Sequence, residues 1–277
     1  MTFDLEFTYR QSWLGEYVLC PERARLKWFE LVPDGPSDAT AIGTGAHAGI
    51  EYIIRGGSHA EAIQYARDAF VMETHEPHYR WVQVKTEETA FRHIETALDG
   101  WLWKVEPLLG TPIWVEQEFK FHFVTLLLPD GRTVGINLSG TADFADEAGV
   151  WDWKTCKDPS KYTAGWGGEG WKLKRFGIQP TVYTLAGQHE GLWDLLSWGD
   201  APWSFTYAAM TKASRSATLL PVERTATDVA WLKRLCINAT KMLVSDLPEW
   251  PLNDQSALCS EQWCPAHSIC KGADAPL

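Results

Sequence analysis

The chain has 277 residues, 45% apolar and 22% charged, and its 25 Lys and Arg against 36 Asp and Glu leave a formal charge of −11. This is the composition of a folded globular protein and excludes wholesale disorder, collagen-like repeats and a disulfide-dense miniprotein. The acidic balance argues against a general polyanion binder, because such proteins carry a basic surplus.

The first hundred residues read mostly as helix. Ser12 is placed to cap a helix with Trp13, Leu14, Tyr17 and Val18 on one face. Residues 33–38 read as a loop, and Gly43-Thr44-Gly45 leads into a helix around His47. Over 87–108, Phe91, Ile94, Leu98, Trp101, Leu102 and Val105 recur at helical spacing, and Pro107 and Gly110 end the run. The period then shortens. Residues 113–128 alternate in part, with Val115, Gln117, Phe119, Phe121 and Phe123 on one side, before the turn signal Pro129-Asp130-Gly131. A second strand is expected over 133–144, a turn over 146–149 and a third strand over 150–156. A polar, Gly-rich, basic connection spans 157–177, followed by a helix over 179–188 and a fourth strand over 203–210. Residues 225–247 form an amphipathic helix whose Thr225 and Asp228 have the capping-box form. The chain after Pro248 reads as irregular. No stretch has the length of a membrane span or the make-up of a secretory leader, so a cytoplasmic protein without membrane contact is expected.

Chemistry-bearing residues gather on the third strand. In Val150-Trp151-Asp152-Trp153-Lys154, alternation sends Asp152 and Lys154 to one face and both tryptophans to the other. The hairpin at 146–149 carries Asp143, of Gly140-Thr141-Ala142-Asp143, toward Asp152. Two neighbouring carboxylates repel unless a cation or a proton lies between them, and their hard oxygens suit Mg²⁺ or Mn²⁺. Alone, D-x-K is more often a structural ion pair. His47 with Glu51, and Gln179 with Tyr183, are likewise ordinary one-turn helix pairs when taken singly.

Taken in order, Gly43-x3-His47, Gly140-x2-Asp143, Asp152-x-Lys154 and Gln179-x3-Tyr183 resemble the RecB-like branch of the PD-(D/E)XK nuclease superfamily, over about residues 10–270. The resemblance implies an α/β fold with a restriction-endonuclease-like core, a mixed sheet in the order αβββαβ, a helical N-terminal region and a C-terminal cysteine clasp. One nuclease domain is expected over 1–277, with a helical region over 1–110, the catalytic core over 111–212 and the C-terminal helix and clasp over 213–277. It further implies a metal-dependent DNA exonuclease. Mg²⁺ or Mn²⁺ would be held by His47, Asp143, Asp152 and the Trp153 backbone carbonyl, with Asp143, Asp152 and Lys154 catalytic. Gln179 and Tyr183 would line the DNA path, together with Lys157, Lys161, Lys172, Lys174 and Arg175. Glu116 or Glu118 is the expected outer acid. The implied partners are DNA, as single strands or duplex ends, and a helicase or recombination protein. A non-catalytic nucleic-acid-binding or recombination-complex subunit is the rival class, and RNA a third substrate option.

Six cysteines in such a chain favour metal ligation or burial over disulfides. Cys259-x4-Cys264-x5-Cys270 sets three thiols within twelve residues, Cys20 precedes Pro21 at a helix end, and Cys156 and Cys236 read as buried. A Cys-Pro with three C-terminal cysteines resembles the iron–sulfur members of the superfamily, the CRISPR-adaptation exonucleases and AddB-type subunits. That resemblance implies a structural [4Fe–4S] cluster on Cys20, Cys259, Cys264 and Cys270. The x4 spacing departs from the family's more usual x2, which keeps zinc open, with His267 as an alternative ligand. Finally, the total charge hides a local surplus. Between Trp153 and Gly177 six basic residues stand against Asp158 and Glu169, and Arg23, Arg25 and Lys27 are candidates to extend that track. Trp166 and Trp171 are candidates to stack on unpaired bases.

Overall fold

The computed structural model describes residues 3–32, 35–158, 177–189, 203–245, 247–253, 259–261 and 264–271. In chain order the elements are β1 (Leu5–Arg10), α1 (Gln11–Leu19), α2 (Pro21–Trp28), α3 (Asp38–Ile54), α4 (His59–Thr74), α5 (Glu87–Lys104), β2 (Trp114–Leu127), β3 (Thr133–Asp146), β4 (Gly149–Cys156), α6 (Ile178–His189), β5 (Trp203–Thr211), β6 (Ala217–Arg224), α7 (Ala226–Val244) and α8 (His267–Lys271). From α5 to β5 they follow the helix–strand–strand–strand–helix–strand order expected of the core. The six strands make one mixed sheet in the order β1-β3-β4-β5-β6, with β2 also on β3. β1–β3 and β4–β5 are parallel, and β3–β4 and β5–β6 antiparallel.

The chain forms two compact units, one from Met1–Asp34, Lys120–Gly140 and Ala226–Leu277, the other from Gly35–Phe119 and Thr141–Thr225. In the first, β1 pairs with 134–139 of β3 and buries Tyr9 completely. The Tyr9 ring stacks on Trp13 at 5.0 Å and leans on Trp28 at 5.6 Å. Its hydroxyl donates to Thr240 Oγ1 at 2.8 Å, since that oxygen already gives its own proton to the Cys236 carbonyl. This bond anchors α7, and buried Cys236 beside it has its thiol pushed up to about 12 by desolvation.

In the second unit, alternation along β4 works as expected. Trp151 and Trp153 join Phe144, Ala208 and Met210 in a core closed by α3, α4 and α5, with Trp101 edge-on to Trp153 at 5.8 Å. Asp152 points the other way, to α6. Ser37 caps α3, and the buried Asp38 carboxylate accepts the backbone N–H groups of Val82, Gln83 and Val84, which fixes where α3 starts.

Two local expectations are corrected, and two strands lie where the sequence marked none. Ser12 is not a cap: β1 runs into α1 without a loop, Arg10 occupies the N-cap position in extended conformation, and Ser12 sits inside the first turn. β1 is a strand within the stretch that reads mostly as helix, and its six residues are too short to establish a period. β6 was missed because Pro221 interrupts its pattern; as the end strand of the sheet order, β6 tolerates the missing N–H. The tail after Pro248 contains the single-turn helix α8.

The close approach of α3 to its neighbours depends on Gly45. A Cβ there would lie 2.7 Å from the Ala66 carbonyl oxygen and 2.9 Å from Ile94 Cδ1, whereas one at Gly15 in α1 would meet nothing within 4 Å. Gly45→Ala is therefore expected to destabilise, because overpacking of about 1–3 kcal/mol exceeds the helix-propensity gain of about 1 kcal/mol. Gly15→Ala is expected to stabilise by about 0.5–1 kcal/mol. Urea unfolding of both variants checks the pair, and equal signs would contradict this account of the packing.

Candidate metal centre

The last ladder pairs of β3 and β4 are Phe144↔Trp151, Ala145↔Val150 and Asp146↔Gly149. One step further, the Asp143 side chain takes over: its Oδ2 accepts the Trp153 N–H at 2.6 Å. The ladder thus ends in a carboxylate that reaches across to the middle of β4. From α3, His47 Nε2 lies 2.8 Å from the Trp153 carbonyl oxygen, which can only accept, so Nε2 carries the proton. His47 Nδ1 then presents a lone pair to Asp143 Oδ2, 3.6 Å away. Two acceptors facing each other need a proton or a cation between them.

Glu116 completes the group. His47, Glu116 and Asp143 offer one ligand atom each, all within 4.8 Å of one another, and among the described residues they are the one such set of three. Asp143 is buried, whereas His47 and Glu116 are partly exposed, so the group opens toward solvent. Glu116 arrives by an unusual backbone: its φ of +48° lies in the left-handed region, at a cost of about 1–2 kcal/mol for a residue with a Cβ. Its Oε1 is buried without a hydrogen-bond partner among the described residues. Glu118, the other acid considered on this strand, is exposed.

Asp152 sits beside this group and is otherwise engaged. It accepts a hydrogen bond from Gln179 Nε2 and forms an ion pair with Lys154 Nζ. Tyr207, its register partner on β5, donates to Gln179 Oε1 at 3.5 Å, and its ring centroid lies 5.6 Å from Lys154 Nζ. The phenol therefore sets which end of the amide faces the carboxylate. Gln179 and Tyr183 are both buried, the latter against Phe119 and Phe205, and their contacts in this conformation are internal. Of the residues expected to hold metal, His47, Asp143 and the Trp153 carbonyl meet here; Glu116 joins them, and Asp152 keeps its bonds to Gln179 and Lys154.

The electrostatics explain why these contacts leave a deficit. Burial pushes Asp152 up to about 7, and the nearby Asp143 adds to the shift against the pull of Lys154. Burial likewise raises Asp143 to about 6, opposed by Lys154 and the Trp153 N–H. Glu116 rises to about 8, first through desolvation and then through Asp143, Glu51 and Asp152. His47 is held neutral by burial and by Lys154, which lower it to about 4. Fully ionised, three carboxylates and one ammonium leave two negative charges, the number that one divalent cation cancels.

The four cysteines of the expected clasp all belong to the first unit. Cys264 and Cys270 pack on Leu26, Val32 and Ala266. Burial raises the Cys270 thiol to about 11, and Glu22, Cys264, Cys20 and Cys259 all add to that shift. The sulfurs are near enough to interact, yet no three of them meet the spacing of the His47 group. The tail is also tied down independently of the thiols: Glu22 accepts the Trp250 N–H at 2.7 Å and pairs with Arg25, and Asn253 donates to the Leu19 carbonyl. Those contacts revise the proposed basic track, because Arg25 is neutralised by Glu22 and Arg23 by Glu16. Lys157 is exposed, while Lys161, Lys172, Lys174, Arg175, Trp166 and Trp171 lie outside the described residues.

No protein-family model and no curated protein matches the chain. A crystal structure from Eubacterium rectale, described as a "putative exonuclease", matches with a TM-score of 0.56 at 13% identity, covering 90% of this chain and 85% of that one. The two share a fold. No helix among the described residues is long and apolar enough to cross a membrane.

Because Asp143 and Glu116 hold their protons up to about 6 and about 8, a cation must displace those protons to bind. Mn²⁺ affinity, measured by calorimetry, is expected to rise from pH 6 to 8, by about tenfold per pH unit for each proton released. Glu116→Gln should weaken binding and flatten the upper part of the rise. An affinity independent of pH in this window would contradict ligation by these carboxyls.

Proposed function

We propose that the protein is a metal-dependent DNA nuclease of the RecB-like PD-(D/E)XK type, acting as an exonuclease. The observation that carries this reading is the His47, Glu116 and Asp143 donor set lying beside Asp152 and Lys154. The carboxylates and the single imidazole suit Mg²⁺ or Mn²⁺. Such a cation, when bound, supplies Lewis acidity toward a phosphoryl oxygen and offsets the charge that develops there. Lys154 keeps its ammonium partly exposed at the mouth of the site, where it holds an attacking water or a phosphate oxygen. Asp152, fixed by Gln179, sets the position of that ammonium, and the ring of Tyr207 supports it. Lys157, exposed just past β4, is available to the substrate backbone. The likeness to a structure described as a "putative exonuclease" supports the same reading through the fold.

For the cysteines, we infer a structural [4Fe–4S] cluster on Cys20, Cys259, Cys264 and Cys270, with zinc as the alternative occupant. The nearness of the other three thiols to Cys270 supports it, and ligation would overcome the raised Cys270 pKa by holding the thiolate form.

Two experiments test these readings. With Mn²⁺, the protein is expected to degrade end-labelled linear DNA and to spare closed circles, and Asp152→Ala and Lys154→Ala to lower kcat about 100-fold or more. Undiminished degradation by Asp152→Ala overturns the assignment. Protein prepared without oxygen should be brown, and Cys264→Ser should lose colour and solubility together; colourless protein with stoichiometric zinc overturns the cluster.

A further inference from the structure

We propose that Arg55 is the positioning residue for Glu116, acting through the backbone of Val115. The inference rests on the metal reading of His47, Glu116 and Asp143. His47, Glu51 and Arg55 follow one another at single-turn intervals on α3, so the helix that delivers the imidazole also delivers this guanidinium. Arg55 is the C-cap of that helix. Its Nη2 donates to the Val115 carbonyl oxygen at 3.3 Å, and its Nε donates to Glu51 Oε1 at 2.8 Å. Glu51 thereby holds the guanidinium in place, and the guanidinium holds the peptide that joins Val115 to Glu116.

That peptide is where β2 departs from regular geometry. Rotation about the next bond sets the φ of Glu116 at +48°, a conformation that a glutamate in a strand does not keep without outside support. A donor on the Val115 carbonyl fixes the peptide plane from which this rotation is made. In an ordinary extended strand, successive side chains alternate between faces, so a relaxed backbone would redirect the carboxylate away from His47 and Asp143. The buried Glu116 Oε1 has no hydrogen-bond partner among the described residues, so the backbone is what holds that oxygen in the site.

Charge alone acts in two directions: Arg55 repels a metal, yet it also favours the ionised form of Glu116, so the charge-keeping Arg55→Lys is the variant that separates positioning from charge. As the support for Glu116, its removal loosens a ligand and weakens binding. Arg55 is 58% exposed at a helix end, so truncating it opens no core. Lysine keeps the charge but loses the fork that reaches Glu51 and Val115 together.

The test is Mn²⁺ titration calorimetry on the full chain, without substrate, for wild type, Arg55→Ala, Arg55→Lys, Glu116→Ala and the Arg55→Ala/Glu116→Ala double variant. Both Arg55 variants are expected to bind about 10- to 100-fold more weakly while keeping the metal-free melting temperature of the wild type. The double variant is expected to bind no more weakly than Glu116→Ala alone, because Arg55 acts through that residue. Unchanged or tighter binding by either Arg55 variant overturns the inference, as do losses that add in the double variant. Absence of Mn²⁺ uptake by the wild type overturns the donor set and this inference together, whereas uptake unaffected by Arg55→Ala overturns this inference alone.

Discussion

Glu116, Asp143 and Asp152 share a poorly solvated pocket whose only close ammonium is that of Lys154, among the described residues, and the resulting repulsion constrains everything around them. Each carboxyl resists ionisation because burial removes water and because its neighbours carry the same sign. Protein hydrogen bonds relieve part of this: Asp143 takes the Trp153 N–H and Asp152 takes the Gln179 amide. Glu116 Oε1 and the lone pair on His47 Nδ1 are not relieved in this way. A site that neutralised itself would be a structural ion-pair network; this one leaves a deficit matched to a divalent cation.

The fold supplies the rigidity that such a deficit needs. β4 works in both directions, with Trp151 and Trp153 locked into the core of α3, α4 and α5, and Asp152 and Lys154 directed to the opposite face. Because Asp143 ends the β3–β4 ladder by accepting a backbone N–H, the antiparallel pairing itself fixes the distance between two of the carboxyls. The glycine-dependent approach of α3 then places His47 over the Trp153 carbonyl, and the same helix extends to Glu51 and Arg55. In the other unit, the Tyr9–Thr240 and Glu22–Trp250 bonds secure α7 and the segment around Trp250 to the N-terminal elements, independently of the thiols.

Much of this is written in the sequence as alternation. Trp-Asp-Trp-Lys in a strand has one packed face and one polar face whatever its surroundings, so the roles of residues 151–154 follow from residue type and period. Asp143 follows from the short hairpin that returns the chain. Glu116 does not, because 116 and 118 share a strand face by period; what separates them is the left-handed backbone at 116, and no residue type encodes that turn. The role of Arg55 was equally hidden, since its partner is a backbone carbonyl sixty residues away. β1 is too short to show a period, and Pro221 interrupts that of β6. Of the candidates to extend the basic track, Arg25 pairs with Glu22 one turn before it, a spacing visible in the sequence, and Arg23 pairs with Glu16 of the preceding helix.

The central claim is that the repelling carboxyls and His47 are held as a cation site. The most direct measurement is a crystal structure of the protein with Mn²⁺, using anomalous difference density at the manganese edge. The account predicts a peak within coordination distance of one atom each of His47, Glu116 and Asp143. A structure with no peak at these residues, or with Glu116 in extended conformation and turned away from the other two, would contradict it.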